Sequence, residues 1–363
     1  MNRLTRGVSL FAMLAWAAPA GAQLLNQDKI RINGYSNFEY EYSPNRAGRG
    51  DVNGSFDAQE FDLVFNIVPS DRLRLSTDLR WEHGISYEDS RGNLTISHGF
   101  AEYTVLDAFR LRAGKMLVPF GIYNEIHTAK PAIFLYREPW SIAKPDKLGF
   151  PRRFFARAGT GVEALGNASL GTMEADYSVF LSNGESPRTV DNQFEQDDNS
   201  NKSLTARVRV KPIPSVTLGA SFYNDQLTEF DATTGKDTGL RTRQRTVGAL
   251  AQFAPGALLV EGEWIRGDLT PSTNVRQRGT GLYSSASYLI AERVRPYVFY
   301  QNLDPNGSVG DDRAIVWGPG INTRIDGAMF LKLEVLRFTS GANNSKLKGN
   351  PYTELGAAIA VAF

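Results

Sequence analysis

The sequence predicts an all-β protein: a transmembrane antiparallel β-barrel of about sixteen strands, with a long loop folded into its lumen. Three observations lead to this prediction. Segments in which apolar and polar residues alternate recur along the chain, and the connections between them are alternately short and long. Beyond the N-terminus, no apolar run approaches the roughly 20 residues of a membrane-spanning helix. Because period-two alternation gives a strand one apolar and one polar face, such strands can close around a polar interior.

The first 22 residues have the features of a secretion signal peptide. Arg3 and Arg6 precede an apolar stretch at 7–18 that is too short to span a bilayer, and Ala20 and Ala22 form an A-x-A cleavage pattern. We expect cleavage after Ala22, which leaves residues 23–363 as an exported barrel domain. Removing two of the 40 basic residues against 39 acidic ones changes the formal net charge from +1 to −1. A short N-terminal membrane anchor is the alternative.

Composition narrows the function classes. The 363-residue chain has no cysteine and three histidines, which excludes disulfide frameworks and thiolate sites and leaves little material for a histidine-based metal cluster. A net charge of +1 argues against nucleic acid as a partner. No serine and histidine are expected to converge, because His98 and its neighbour Ser97 point to opposite faces of a predicted strand. The sequence therefore predicts no enzyme activity, no catalytic residue, no cofactor and no bound metal.

Five segments carry the alternation most clearly, at 30–42, 60–67, 73–82, 204–211 and 355–363. In the second of them, Phe61, Leu63 and Phe65 share one face, whereas Glu60 and Asp62 share the other. A helix would mix the two sets around its circumference, and a parallel strand buried on both faces would not carry charges. These segments are therefore predicted to be antiparallel strands with one polar face.

The connections indicate the number of strands. Seven short turns alternate with eight longer polar segments, so fifteen connections join sixteen strands, and both chain ends lie on the short-turn side. The short turns are predicted near 69–72, 106–109, 167–171, 212–215, 254–257, 290–293 and 322–327, and the long segments near 43–57, 83–93, 122–158, 183–201, 224–240, 267–279, 302–312 and 339–351. Two strands are weakly marked, because the one near 159–166 is short and Pro319 interrupts the one near 313–321.

A soluble β-sandwich, jelly roll or propeller is the alternative fold. A charged face recurs in almost every strand, however, and the chain ends on an apolar strand. Aromatic residues also gather near strand ends, as they do at membrane interfaces: Tyr40, Tyr42, Trp81, Tyr103, Trp264, Tyr300 and Phe363. These features favour the membrane barrel, whose apolar faces meet lipid and whose polar faces line an aqueous channel.

The segment 122–158 is the longest predicted connection, and it is too rich in aromatic residues for disorder. We predict that it folds into the barrel and narrows the pore. Its seven basic residues exceed its three acidic residues, which gives an excess of four positive charges. The candidate constriction residues are Lys130, Arg137, Lys144, Lys147, Arg152, Arg153, Arg157, Glu125 and Glu138.

Charged residues on the polar strand faces are candidates for the pore lining: Arg110, Arg112, Arg207, Arg209, Lys211, Glu60, Asp62, Arg74 and Arg80. Because a narrow passage of low dielectric constant focuses the field of its charges, an excess of cations there predicts a mild preference for anions. Alternatively, these basic residues pair with lumenal carboxylates or face the outer leaflet.

The stretch from Arg112 to Gly121, RAGKMLVPFG, resembles the Gly-Lys-x-x-x-Pro-Phe-Gly segment of Gram-negative outer-membrane porins similar to the phosphate-selective O/P type. The export signal, the sixteen-strand rhythm and the terminal aromatic residue are similar to the wider group of general and anion porins. The resemblance implies a bacterial outer-membrane channel for passive diffusion of small hydrophilic solutes or anions, which contacts membrane lipids and assembles as a homotrimer. It also implies that the barrel assembly machinery recognises Phe363.

The sequence is compatible with two function classes. An open lumen with a constricting loop predicts a diffusion channel. A non-conducting outer-membrane barrel that acts through its surface loops, as an adhesin or a structural anchor, is the alternative.

Overall fold

The computed structural model describes residues 29–44, 53–83, 93–126, 129–185, 197–231, 233–272 and 275–363. The predicted signal peptide, 1–22, lies outside the described residues. Sixteen strands occupy most of the described chain. They are β1 (Ile30–Tyr42), β2 (Ser55–Ser70), β3 (Leu73–Glu82), β4 (Asn93–Leu106), β5 (Phe109–Leu117), β6 (Ala158–Leu170), β7 (Met173–Ser182), β8 (Ser203–Ile213), β9 (Val216–Phe230), β10 (Asp237–Phe253), β11 (Leu258–Thr270), β12 (Gln277–Tyr288), β13 (Val294–Asp304), β14 (Ala314–Arg324), β15 (Met329–Ser340) and β16 (Tyr352–Ala362).

Every strand pairs antiparallel with its neighbours in the chain, and the sheet closes where β1 pairs with β16. The closing register runs from Tyr35 opposite Ala362 to Tyr42 opposite Leu355. Two backbone hydrogen bonds between Gly34 and the terminal residue, of 2.7 and 2.9 Å, extend this seam. The predicted antiparallel barrel of sixteen strands is therefore confirmed, and its closure pairs the edges that an open sheet would expose.

The two faces of each strand differ as the alternation predicts. In β2, Phe61 is 41% exposed, whereas Glu60 and Asp62 on either side of it are 6% and 0% exposed. In β16, Ile359 is exposed and its neighbour Ala358 is buried. Because a closed barrel has one outer and one inner surface, the exposed apolar residues form the outside and the buried polar residues line the inside.

The two strands that the sequence marks weakly are both complete. β6 spans 13 residues, so it is not shortened. Pro319 does not end β14, since it stays opposite Val298 of β13 while the ladder to β15 passes from Trp317 directly to Gly320. Proline lacks an N–H group, so it interrupts one of the two ladders locally and leaves the other intact.

Strands continue into three connections that the sequence predicts to be longer. β9 ends at Phe230 and β10 begins at Asp237, so most of the predicted loop 224–240 is paired strand. The same holds for 267–279, where β11 and β12 meet, and in part for 302–312, into which β13 extends. The predicted lengths of these loops were therefore wrong. Polar residues on both faces of the strand ends hide the period-two signal, but the backbone pairing continues there, for example between Asp225 and Gln244.

The longest connection, 118–157, joins β5 to β6 and is called the β5–β6 segment below. It contains a 3-10 helix at Lys130–Ala132, the short helix α1 (Trp140–Ala143) and a second 3-10 helix at Pro145–Leu148. Each 3-10 helix has a proline in its first turn, where an N–H group has no partner within the helix in any case. Among the residues that the structure describes, no helix is long and apolar enough to cross a membrane.

Candidate functional site

Aromatic side chains pack the β5–β6 segment against the buried faces of β10–β12. Phe120 stacks on Phe155 with ring centroids 4.3 Å apart, and the centroids of Phe150 and Phe154 are 4.5 Å apart. All four rings are buried. Since full burial of one such side chain contributes about 1.5–3 kcal/mol, this aromatic cluster holds the segment in one place.

Glycines on the facing strands make room for these rings. A Cβ atom on Gly267 of β11 would lie 2.3 Å from the ring of Phe154, and one on Gly279 of β12 would lie 2.6 Å from the ring of Phe150. Both distances are too short for real contacts, so any larger residue would displace a ring or the strand. The small residues therefore belong to the packing of the segment as much as its own phenylalanines do.

The Pro-Phe-Gly part of the motif at 112–121 forms the corner at which the segment leaves β5. Gly121 has a φ angle of +63°, and a Cβ atom there would lie 1.8 Å from Oε1 of Glu263. The carboxylate of Glu263 accepts a hydrogen bond from the backbone N–H of Ile122 at 3.1 Å. This contact explains why a glycine stands at the corner.

Lys332 joins the segment to β15, which lies three strands from β12 in the barrel. Its side chain is 0% exposed, and its Nζ atom donates to the carbonyl oxygens of Lys130, Ile133 and Leu135 at 2.6, 2.5 and 3.0 Å. An ammonium group has three hydrogens, so these three carbonyls use its whole donor capacity. Lys332 therefore clamps the first 3-10 helix and the residues that follow it.

Carboxylates on two strands provide further anchors. Glu334 of β15 accepts a hydrogen bond from the hydroxyl of Tyr297 at 2.7 Å and a longer one from the backbone N–H of Tyr136 at 3.4 Å. Glu261 of β11 accepts from the hydroxyls of Tyr283, at 3.0 Å, and Tyr123. Each anchor places a strand carboxylate against a group of the segment, so that these buried polar atoms have partners.

Four of the segment's seven basic residues are in ion pairs. Arg137 pairs with Glu41 at 2.9 Å and with Glu354, and its guanidinium group lies 4.7 Å from the centroid of the Trp140 ring. The other pairs are Lys130 with Glu39 at 3.7 Å and with Glu138 at 3.6 Å, Lys144 with Glu138 at 2.7 Å, and Arg152 with Glu185 at 3.3 Å. For these residues the alternative of pairing with carboxylates describes the structure.

The remaining three basic residues of the segment, Lys147, Arg153 and Arg157, have no carboxylate within 4.0 Å in the described part of the chain. Burial, together with the nearby guanidinium groups of Arg80 and Arg153, lowers the pKa of Arg157 to about 10. The group is therefore still protonated at neutral pH. Cations that repel one another in this way leave a local positive field for a mobile anion.

The candidate lining residues also lie mostly in ion pairs. The pairs are Arg80 with Asp62 (2.8 Å), Arg112 with Glu163 (3.2 Å) and Glu102, Arg110 with Glu102 (3.7 Å), Arg74 with Glu102 (3.6 Å), Arg207 with Glu125, Arg209 with Asp176 (3.0 Å) and Lys211 with Glu174 (3.8 Å). Glu60 is buried on the same face. Arg207 forms its ion pair with Glu125 of the β5–β6 segment. Lys211, near the end of β8, pairs instead with Glu174 of β7.

One serine and one histidine come together that the sequence did not reveal. A bulge in β3–β4 pairs Asp78 with His98 and the next residue with Ile96, which turns His98 to the side of Ser76. Ser76 Oγ lies 3.2 Å from His98 Nε2, so the expectation that no such pair converges was wrong. His98 Nδ1 is 3.8 Å from Asp78, however, which is longer than a hydrogen bond, so the carboxylate does not orient the ring as in a hydrolase triad.

No protein-family model matches the chain. An uncharacterized protein of Aquifex aeolicus (strain VF5) is 23% identical over 221 residues, which cover 58% of this chain and 47% of that protein. The chain thus spans about half the length of the curated relative that it matches.

Solved structures share the fold over almost the whole chain. The anion-selective porin from Comamonas acidovorans has a TM-score of 0.64 at 12% identity and covers 92% of this chain and 99% of its own. The outer membrane channel DcaP of Acinetobacter baumannii has a TM-score of 0.59 at 13% identity, with 92% and 97% covered. The trimer form of OmpT, an outer membrane protein of Vibrio cholerae, has a TM-score of 0.61 at 8% identity, with 92% and 99% covered. This chain therefore has the fold of a porin-like barrel.

Proposed function

We propose that the protein is a porin of the bacterial outer membrane: a water-filled channel through which small hydrophilic solutes diffuse passively, with a mild preference for anions. In this proposal residues 1–22 direct export and are removed after Ala22, and the protein is not an enzyme. The observation that carries the proposal is the closed barrel with an exposed apolar face and a buried charged face. Lipid is compatible with the first face, and water and ions with the second.

The β5–β6 segment is proposed to narrow the channel. Its aromatic residues pack on β10–β12, its backbone is clamped by Lys332 of β15, and Arg137 ties it to β1 and β16. The solute path would then run between the segment and the charged wall formed by β2–β8. Rows of charge on a narrow path of this kind determine which ions pass.

The anion preference is proposed to come from the few cations that have no carboxylate partner. Lys147, Arg153 and Arg157 are such residues, and in the described part of the chain Asp146 is the one acidic residue of the segment that has no ion pair. Paired charges largely cancel at a distance, so the surplus is smaller than the four charges counted from the sequence, but it keeps the same sign. A mild preference is the expected result.

The assembly and the finer family assignment are also proposals. Phe363 lies at the β1–β16 seam and is 57% exposed. The centroid of its ring is 5.7 Å from that of Phe61 in β2. We propose that the barrel assembly machinery recognises this exposed aromatic residue. We propose a homotrimer in contact with outer-membrane lipids. The motif at 112–121 supports a likeness to phosphate-selective O/P-like porins, and a higher permeability for phosphate than for chloride would agree with that likeness.

Reconstitution into planar bilayers tests the proposal. The purified protein should form stable open channels, and a tenfold gradient of potassium chloride should give a reversal potential of the sign expected for chloride. Liposomes that contain the protein should swell in small sugars faster than empty ones. A silent bilayer and no swelling would favour the adhesin or anchor. Open channels with the potassium sign would refute only the anion preference.

A further inference from the structure

A polar cavity of about 420 Å³ lies where the β5–β6 segment meets the ends of β1, β2 and β3. This volume falls in the range of about 300–1,000 Å³ that is typical of small-molecule sites. The cavity is lined by charged residues from two sides, and Trp140 of the segment also belongs to the lining. It is therefore large enough for an organic solute, and its lining has both polar and apolar parts.

The two sides of the cavity carry opposite charges. The strands contribute the carboxylates of Glu39, Glu41 and Asp57. The segment contributes one carboxylate, Glu138, and the cations Lys130, Arg137, Lys144 and Lys147. Three of these cations already have partners, since Lys130 pairs with Glu39, Arg137 with Glu41 and Lys144 with Glu138.

One cation and one carboxylate remain for a ligand. Lys147 is exposed and has no carboxylate within 4.0 Å among the described residues. Asp57 is 38% exposed, and the partner that the structure describes for its carboxylate is Nδ1 of His83, at 2.9 Å. A carboxylate has about four lone-pair sites, so Asp57 can accept a hydrogen bond from an ammonium group beside its contact with His83.

We propose that this cavity binds small zwitterions, molecules such as amino acids that join a carboxylate to an ammonium group through a short apolar spacer. The carboxylate pairs with Lys147, the ammonium group pairs with Asp57, and the spacer packs against Trp140. The proposal rests on the proposed function because the solute would reach the cavity through the channel entrance. Binding to the cavity does not itself require that the channel conducts. Two exposed ion pairs give weak binding, so the solute can leave again.

Calorimetric titration of the purified, folded protein in detergent at pH 8 tests this site with three probes of equal chain length. The zwitterion 4-aminobutyrate should bind about fivefold more tightly than butyrate, which has only the anionic group, and than butylammonium, which has only the cationic group. Asp57→Asn should reduce the affinity for 4-aminobutyrate to that for butyrate. Lys147→Gln should reduce it to that for butylammonium.

Lys236→Gln is the matched control, because it removes an exposed lysine of the loop between β9 and β10 that does not line the cavity, and it should leave all three affinities unchanged. Thermal unfolding followed by circular dichroism should be the same for all variants, since both tested side chains are partly exposed. Equal affinity for 4-aminobutyrate and butyrate, no binding of 4-aminobutyrate, or an unchanged affinity in Lys147→Gln would each overturn the proposal. The conductance of the same preparation is measured in a planar bilayer. Open channels without the expected binding would refute only this site, whereas binding without open channels would refute only the proposed channel.

Discussion

Replacing Lys332 with methionine is expected to release the β5–β6 segment while the barrel stays closed. The wild-type ammonium group donates three hydrogen bonds, of 2.5 to 3.0 Å, to backbone carbonyls of the segment, and it is fully buried. Methionine leaves these carbonyls without this donor, and each buried acceptor that finds no other partner typically costs about 1–3 kcal/mol. The strand ladders do not involve this side chain, so the loss falls on the docking of the segment.

The expected result is a channel with a larger single-channel conductance and more current noise than the wild type. Limited trypsin digestion of the folded variant should also cut after Arg137, two residues beyond the last carbonyl that Lys332 binds, and this site should be protected in the wild type. Lys236→Met is the control, because it removes an exposed lysine in the loop between β9 and β10. If Lys332→Met kept the wild-type conductance, noise and protease resistance, the clamp would not hold the segment, and the reasoning would be refuted.

Three further predictions follow from the packing and charge of the segment. Gly267→Ala should destabilise the protein by about 1–3 kcal/mol in thermal unfolding, because its Cβ would meet the ring of Phe154 at 2.3 Å, whereas Gly307→Ala, with no atom within 4 Å, should have little effect. Gly121→Ala should cost more than Gly171→Ala in the same assay, since both glycines have φ angles near +60° but only Gly121 abuts Glu263; equal losses would contradict the packing argument. Arg157→Gln should lower the chloride-to-potassium permeability ratio, measured from reversal potentials, by about two- to threefold, or roughly 0.5 kcal/mol. An unchanged ratio would remove Arg157 from the selectivity mechanism.

The barrel could be predicted from the sequence because its signal is local. One residue in two along a strand such as β2 must be apolar toward the outside, so Phe61 and its neighbours reveal both the strand and its orientation. The strand ends were less predictable. The hairpin of β9 and β10 continues through polar residues on both faces, and there only the backbone ladder, which leaves no trace in composition, defines the strands.

The packing of the β5–β6 segment could be predicted from its composition, but its contact partners could not. The excess of aromatic and basic residues at 122–158 points to a packed, charged segment, and the structure has one there. Lys332 and Glu334 carry a weaker signal: two charges in the otherwise apolar stretch of β15, on its inner face. Their roles depend on contacts with residues nearly 200 positions earlier in the chain, and no local pattern encodes such contacts.

The basic residues of the segment form two groups with different roles: those in ion pairs and those that have no carboxylate within 4.0 Å among the described residues. Arg137, held by Glu41 and Glu354, contributes to docking, but its field is largely cancelled by carboxylates within ion-pair distance. Arg157 has no carboxylate within 4.0 Å among the described residues, and we propose that for this reason its field reaches the solute path. In this proposal, docking and ion preference depend on different side chains. Substitution of Arg157 is therefore expected to change the proposed preference without loosening the segment, and a count of charges along the loop overstates the number of unpaired cations.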